Sequence, residues 1–475
     1  MASTTGTQKP GIHFGTDGWR GIIARDFTVE NATLVARALA RYLVEFEDLR
    51  RGVVVAYDTR FLADRFARRV AEVLTSVGLE VRLAAAPTPT PALSFAVRHY
   101  RAAAGIMLTA SHNPPSWLGI KLKASYGGSA SARAVAEVER FLGDEARLPR
   151  VSPDSRRLEV VDLKPAYLQR LTELVDLDRI TRARLHLAID PMHGAAAGYL
   201  RPVLADHGIA CTEVRGTRDP LFGGTQPEPI YAHLGPLREA VRTHHCAAGL
   251  ATDGDADRVA ALDAAGNFVD PHKIFSLVFR HLVERRNLRG GVAKTFSVSK
   301  MIDRLAERYA LPLHETPIGF KHIADLMLER DLLLGGEESG GIGLRSHLPE
   351  RDGLLISLLL AEILATEGKP LADCVADLQK EFGPLHYRRL DLHLDPQQKL
   401  RALKHIASEP VGKLGDWTVV GREELDGTKL YLLNAGWVLV RASGTEPVLR
   451  LYAEAPTPEL AEHVLATVEN LVRTW

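Results

Sequence analysis

Short apolar runs alternate along the chain with polar loops and amphipathic stretches. Val53-Val54-Val55-Ala56-Tyr57 runs into Asp58-Thr59-Arg60, and a helix is predicted through Val70 and Leu74. Leu185 to Ile189 runs into Asp190, Ala248 to Ala251 into Thr252-Asp253, and Val292 to Phe296 into Ser297. Continuous apolar strands separated by helices indicate parallel or mixed sheets covered on both faces. In such sheets ligands collect beyond the carboxyl ends of the strands, which is where these polar residues recur.

The rhythm fills three stretches, 12–155, 156–265 and 266–385, each predicted to be an α/β domain. No tandem repeat at a period of about 20–50 residues is present, which excludes a solenoid. Residues 386–475 differ: Arg388 to Leu394 alternates, Asp416 to Val420 and Gly436 to Arg441 read as strands, and Pro458 to Thr474 as an amphipathic helix. That predicts a smaller α+β domain with an antiparallel sheet. The fold class is α/β, with mixed sheets and a C-terminal α+β domain. Residues 1–11 are polar, lack the apolar core of a signal peptide, and read as a flexible tail.

Composition narrows the function. The 475 residues carry 59 Lys+Arg against 59 Asp+Glu, so no long-range field draws a polyanion. Neither nucleic acid nor an anionic membrane is an expected partner. Any anion site must be built locally. Cys211, Cys246 and Cys374 are scattered without metal-ligand spacing, as suits a reducing, cytoplasmic setting. The longest apolar run, Leu354 to Ala365, contains Glu362 and falls short of the about 20 residues a bilayer needs. It reads as a buried helix. Nothing in the composition sets an oligomeric state.

Four loops carry candidate chemistry. Asp253-Gly254-Asp255-Ala256-Asp257-Arg258 follows an apolar strand directly. Three carboxylates at alternate positions repel one another unless a cation sits among them, and alternate residues of an extended segment share a face. An EF-hand would need Gly and Glu where Arg258 and Ala264 stand. The set suits a hard divalent ion, most simply Mg²⁺; without one it would be a solvated acidic loop. Thr109-Ala110-Ser111-His112-Asn113-Pro114-Pro115 is stiffened by its prolines and could present Ser111 as a nucleophile beside His112. It could also be an ordinary turn. The Gly-x-Ser-x-Gly pattern of acyl transfer is absent, which favours phosphoryl chemistry. Arg441-Ala442-Ser443-Gly444-Thr445-Glu446-Pro447, between two strands, combines two hydroxyls, a glycine and an arginine into a local anion cradle. Gly335 to Gly341 sets Glu337, Glu338 and Ser339 among glycines, where carboxylates can accept from sugar hydroxyls. Neither a nucleotide P-loop nor a dinucleotide fingerprint is complete anywhere.

Taken in this order, the loops resemble the α-D-phosphohexomutase superfamily. Phe14-Gly15-Thr16-Asp17-Gly18-Trp19-Arg20-Gly21 resembles its N-terminal signature. Gly119-Ile120-Lys121 and Thr316-Pro317-Ile318-Gly319-Phe320-Lys321 are further matches. The resemblance implies three related α/β domains and a fourth around a central cleft, Mg²⁺, and reversible transfer of phosphate between C1 and C6 of a hexose through a hexose 1,6-bisphosphate. It implies a phosphorylated Ser111, with Arg20, His112, Lys121 and Arg258 around it. Asp253, Asp255, Asp257 and a phosphoserine oxygen would hold the metal. Gly319, Lys321, Glu337 and Ser339 would meet the sugar, while Arg441, Ser443, Gly444 and Thr445 clamp the phosphate that is not reacting. A mobile fourth domain would let the bisphosphate turn over.

Two departures bear on specificity. Many relatives, phosphoglucosamine mutases among them, end the sugar loop in Gly-His, where this chain has Gly340-Gly341. His347 to Gly353 is instead similar to the phosphoglucomutase branch, with Arg351 at the position of a lysine. An arginine stays protonated, so Arg351 is expected to bind phosphate rather than accept a proton. Asp17 stands where phosphoglucomutases often have Ser and phosphoglucosamine mutases usually have Asp. The expectation is a phosphoglucomutase that also accepts mannose phosphates, with phosphoglucosamine mutase, or a non-catalytic sugar-phosphate binder, as alternatives.

Overall fold

A computed structural model describes residues 12–15, 17–144, 149–408, 412–443 and 448–475. The expected tail, Thr16, and Gly444 to Pro447 lie outside the described residues.

Four sheets organise the chain. In the first, parallel strands Ala104–Leu108, Val53–Tyr57, Val81–Ala84 and Leu158–Val161 lie side by side. Trp117–Ala124 pairs antiparallel beyond Ala104–Leu108, and Trp19–Ile22 closes that edge. Leu158–Val161 lies past the division placed at 155/156, yet it pairs with Val81–Ala84 of the first sheet. The second sheet sets His186–Asp190 between Ala210–Glu213 and Ala248–Thr252, all parallel, with Val259–Asp263 antiparallel beyond. The third does the same with Leu313–Thr316, Gly291–Thr295 and Leu332–Gly336, followed by antiparallel Ile342–Leu344. The fourth is antiparallel throughout and is packed by the helix Pro458–Thr474.

The central strands Val53–Tyr57, Ala104–Leu108, Ala248–Thr252 and Gly291–Thr295 are buried along their whole length, as strands covered on both faces must be. In each of the first three sheets, a parallel strand turns back into an antiparallel partner through the loop that carries the motif: 109–116, 253–258 and 337–341. The fourth motif joins Gly436–Ala442 to Val448–Ala455, again antiparallel. The four candidate loops are thus four hairpin ends.

The long apolar run forms the helix Gly353–Glu367, buried from Gly353 to Leu364. Glu362 survives inside it because its oxygens accept from Asp176 N at 2.8 Å and Arg286 Nε at 2.8 Å, with His281 Nε2 2.8 Å away. Asp352 caps the same helix at Leu355 N (2.9 Å) and accepts from Tyr167 Oη (2.8 Å) of the preceding domain. No helix among the described residues is long and apolar enough to cross a membrane.

The seam between the third and fourth domains buries a lysine. Lys429 is fully covered, with Nζ 4.0 Å from the Phe296 ring centroid and 3.6 Å from Glu315 Oε1. Burial, with Lys294 and Lys300 nearby, pushes its ammonium down to about 8 despite Glu315. Below about pH 8 the lysine is charged folded and unfolded, and the whole cost of burying it is present. Above that the folded form loses its proton first and the cost fades toward 10.5. Lys429→Met is therefore expected to stabilise the protein at pH 7 by about 1–3 kcal/mol, an advantage that shrinks by pH 10. Thermal melts of both proteins across that range check the sign and the slope.

Candidate active site

Ser111 sits in the left-handed region, φ 51°, where a residue with a Cβ is strained. Its surroundings hold it there. The Ser111 N–H donates to Thr109 Oγ1 (2.9 Å), whose hydroxyl donates to Asp58 Oδ2 (2.6 Å). Arg60, fully buried, donates to the carbonyls of Ser111 (2.6 Å), Asn113 (2.7 Å), Pro114 (2.7 Å) and Trp117 (3.0 Å). Its Nε pairs with Asp58 at 3.1 Å, and burial lifts that carboxyl to about 6 against the pull of Arg60. One guanidinium thereby satisfies three carbonyls of the serine loop and that of Trp117 just beyond it, which would otherwise be left unpaired in a dry interior. The sequence placed Asp58 and Arg60 at a strand end without giving them a task.

The Ser111 hydroxyl donates to Asp253 Oδ2 at 2.7 Å, joining the first domain to the second. Gly254 is needed at this junction, since a Cβ there would lie 2.6 Å from the Ser111 carbonyl. The three aspartates are buried, and one oxygen from each lies within 4.8 Å of the others. They converge by a different route from the extended segment expected. Residues 254–257 turn, with Ala256 at φ 60°, and the turn folds the carboxylates together. Asp255 Oδ2 accepts from Thr90 Oγ1 (2.5 Å) and Lys121 Nζ (2.8 Å), and Asp257 Oδ2 from Lys121 (3.0 Å) and Arg351 (2.7 Å). The Oδ1 atoms of both are buried with no hydrogen-bond partner. Asp253 has no cationic side chain within ion-pair distance among the described residues. Burial, Asp257 and Asp255 push its carboxyl well above the usual range. Crowded, buried, partnerless oxygens fit a hard divalent cation.

Around this core the cleft draws on all four domains and encloses about 820 Å³, its opening included. Arg20 donates to Asn113 Oδ1 (2.5 Å), and His112 Nδ1 lies 3.5 Å from Ser111 Oγ. Burial first, then Arg258, Arg20, Arg389 and Arg450, hold the His112 imidazole well below its usual range, so it is neutral at pH 7. Burial alone would depress Lys121, but Asp17, Asp255 and Asp257 raise it and keep it charged. Gly319, Lys321, Glu337, Ser339, Arg441 and Ser443 line the same space, as expected from the loops that carry them. Gly444 and Thr445 lie outside the described residues.

Arg351 is already surrounded by acids. Its guanidinium, 7% exposed, is shared among Asp257 (2.7 Å), Asp17 (2.9 Å), Glu337 (3.1 Å) and Glu350 (3.4 Å). It lines the cleft while neutralising these acids, and its Nε is buried with no hydrogen-bond partner. Burial still raises the Glu337 carboxyl to about 7, with Arg351 opposing. Lys123 completes this network by pairing with Glu350 (2.5 Å) and Asp17 (3.3 Å).

Two further cations, Arg389 and Arg450 of the fourth domain, reach the cleft from ordinary strands and belong to no motif. Seven Arg and Lys side chains and three carboxylates line it. A chain with zero net charge therefore holds a local positive field, enough to draw a dianion.

Known proteins share this layout. Residues 11–147 match the model for phosphoglucomutase/phosphomannomutase α/β/α domain I, 165–266 that for domain II, 270–382 that for domain III, and 398–471 that for the C-terminal domain. A phosphoglucomutase/phosphomannomutase of Thermococcus kodakarensis is 31% identical over 95% of this chain and 96% of its own. A phosphoglucosamine mutase of Levilactobacillus brevis is 32% identical over 97% and 98%. A solved structure from Thermus thermophilus, provisionally described as a phosphomannomutase, is 39% identical and superposes with a TM-score of 0.86, covering 98% of this chain and 99% of that one.

Proposed function

Since the chain belongs to the phosphoglucomutase/phosphomannomutase family, matched domain by domain along its length, we propose that it interconverts hexose 1-phosphate and hexose 6-phosphate, with glucose as principal sugar and mannose as a second. It is a phosphohexomutase, an isomerase that moves a phosphoryl group. The domain divisions follow the sequence reading, with the first moved to the far side of Leu158–Val161.

The observation that carries the chemistry is the buried Ser111 hydroxyl on Asp253, beside a neutral His112. Ser111 carries the phosphoryl group in the resting enzyme. In the forward half the bond from phosphorus to Ser111 Oγ breaks and a bond to the sugar hydroxyl oxygen forms, while that hydroxyl's proton passes through His112 to the departing Ser111 Oγ. The hexose 1,6-bisphosphate then turns over; Ser111 Oγ attacks its other phosphorus, the bond from that phosphorus to the sugar oxygen breaks, and the Ser111 proton passes back through His112 to that oxygen. Asp253, Asp255 and Asp257 would hold Mg²⁺, which when bound supplies neutralisation of the transferring phosphate's charge. Arg20, Lys121 and Arg258 add fixed positive charge around Ser111. Glu337 and Ser339 take sugar hydroxyls, Gly319 and Lys321 line the sugar's other side, and Arg441 with Ser443, Gly444 and Thr445 grips the idle phosphate.

Gly341 supports the choice of sugar. A Cβ there would lie 2.2 Å from Arg351 Cδ, so the histidine that ends this loop in many relatives has no room. Asp17, the feature favouring an amino sugar, is occupied by Lys121 (2.8 Å), Arg351 (2.9 Å) and Lys123 (3.3 Å), leaving it poorly placed to receive a substrate ammonium. Turnover of glucose 1-phosphate, mannose 1-phosphate and glucosamine 6-phosphate under one set of conditions tests the reading. The kcat/KM order glucose, mannose, glucosamine is expected, and exclusive use of the amino sugar would sink it.

A further inference from the structure

Arg441 brings its charge into the cleft, but its guanidinium is held by a residue that no motif marks. Asp426 lies in the turn between Trp417–Glu423 and Thr428–Leu432, and its Oδ1 accepts from Arg441 Nε at 2.8 Å. Its Oδ2 accepts from the backbone N–H of Ile318 at 2.9 Å, in the third domain and 108 residues away. One carboxylate thus ties the arginine of the fourth domain to the loop that leads into the helix Phe320–Glu329. That loop and the first turn of the helix place Ile318, Gly319 and Lys321 in the same cleft. The turn is shaped for this contact. Gly427 has φ 90°, and a Cβ there would lie 2.6 Å from Val440 O and 2.9 Å from Arg441 Cβ, so glycine lets the turn lie against the strand that bears Arg441. The two side chains are 24% and 10% exposed, sheltered enough for a charge-assisted hydrogen bond to hold its geometry.

An arginine bound through Nε still offers both Nη groups, the fork that grips a phosphate. With Nε held, the plane of that fork is set before substrate arrives. We propose that Asp426 is a positioning residue for the substrate's idle phosphate: it orients Arg441 and ties that orientation to the 318–321 loop. The inference rests on the reading that Arg441 binds this phosphate. Asp426 touches no reacting atom, so its contribution appears in binding and not in the chemical step.

The test is a double-mutant comparison with hexose 1-phosphate as substrate. Asp426→Asn keeps the shape and one acceptor oxygen while losing the charge, and Asp426→Ser is a second substitution expected to behave alike. In the otherwise native protein Asp426→Asn should raise KM about tenfold, the worth of a hydrogen bond to a charged group, with kcat changed less than about threefold. In an Arg441→Ala background the same substitution should change KM by less than about twofold, because its effect passes through Arg441. A similar rise in KM in both backgrounds, an unchanged KM in the first, or a fall in kcat alone overturns the proposal. A native protein that turns over no hexose phosphate refutes the mutase reading and this inference with it; native turnover leaves the double-mutant comparison to decide on Asp426 alone.

Discussion

Ser111→Ala is expected to lower mutase turnover by about four orders of magnitude or more, even with hexose 1,6-bisphosphate in excess, because the group that receives and returns the phosphoryl is gone. That factor corresponds to about 5.5 kcal/mol of lost transition-state stabilisation. Folding should survive, because alanine meets the same left-handed strain that serine already bears at φ 51°. The loop is fixed by Arg60 and Asp58, neither of which uses the Ser111 hydroxyl. KM should move little, as the sugar and idle-phosphate loops are untouched. Steady-state kinetics, a melting curve and intact mass check all three parts. The native protein should carry one labile phosphate that the variant lacks. Turnover within tenfold of native would show that Ser111 is not the carrier.

Asp253→Asn should produce two opposite effects. Metal affinity should fall by at least about 100-fold, since even residues that merely orient a metal ligand cost 10- to 100-fold when lost, and activity should fall with it. Yet the metal-free protein should become more stable. Asp253 is the one member of the buried triad with no cationic side chain beside it among the described residues, while Lys121 and Arg351 already balance Asp255 and Asp257. Removing its charge relieves burial cost and repulsion from Asp257 and Asp255 that Arg258 and the Ser111 hydroxyl offset only in part. Melting in chelator and in saturating Mg²⁺ separates the two effects. The native protein should gain about 2.7 kcal/mol at a Mg²⁺ concentration a hundredfold above its Kd, and the variant almost nothing. A native melt indifferent to Mg²⁺ would remove the metal from these aspartates.

What was legible in the sequence was local. The strands that end at Tyr57, Asp190 and Thr252 could be read because buried parallel strands are continuous apolar runs. The helix Pro458–Thr474 could be read because its apolar face repeats at helical spacing. The metal loop stood out because three alternating carboxylates repel one another without a cation, and the serine loop because its paired prolines stiffen a segment bearing Ser and His side by side. The partners were not legible. Arg60 reaches the Ser111 carbonyl across 51 positions, and Lys123 reaches Glu350 across 227. An arginine that satisfies backbone carbonyls has the same sequence signature as one on the surface. Arg351 is a further case: its charge was visible in the chain, but the four carboxylates that share it were not. The aspartate turn was misjudged because alternation implies a shared face only in an extended segment, and a single left-handed Ala256 is enough to break that rule.

The repeated hairpin has an engineering consequence. Each of the four loops is closed by two strands of its own sheet, so its ends are set locally. The loop at 337–341 also leans on the strand that follows the aspartates: Val259 N–H donates to the Gly340 carbonyl at 3.1 Å, and a Cβ at position 340 would lie 2.3 Å from Val259 O, so an exchanged loop must keep glycine there. Arg351 sets a second limit, since a side chain at position 341 meets it and a graft there must carry residue 351 along.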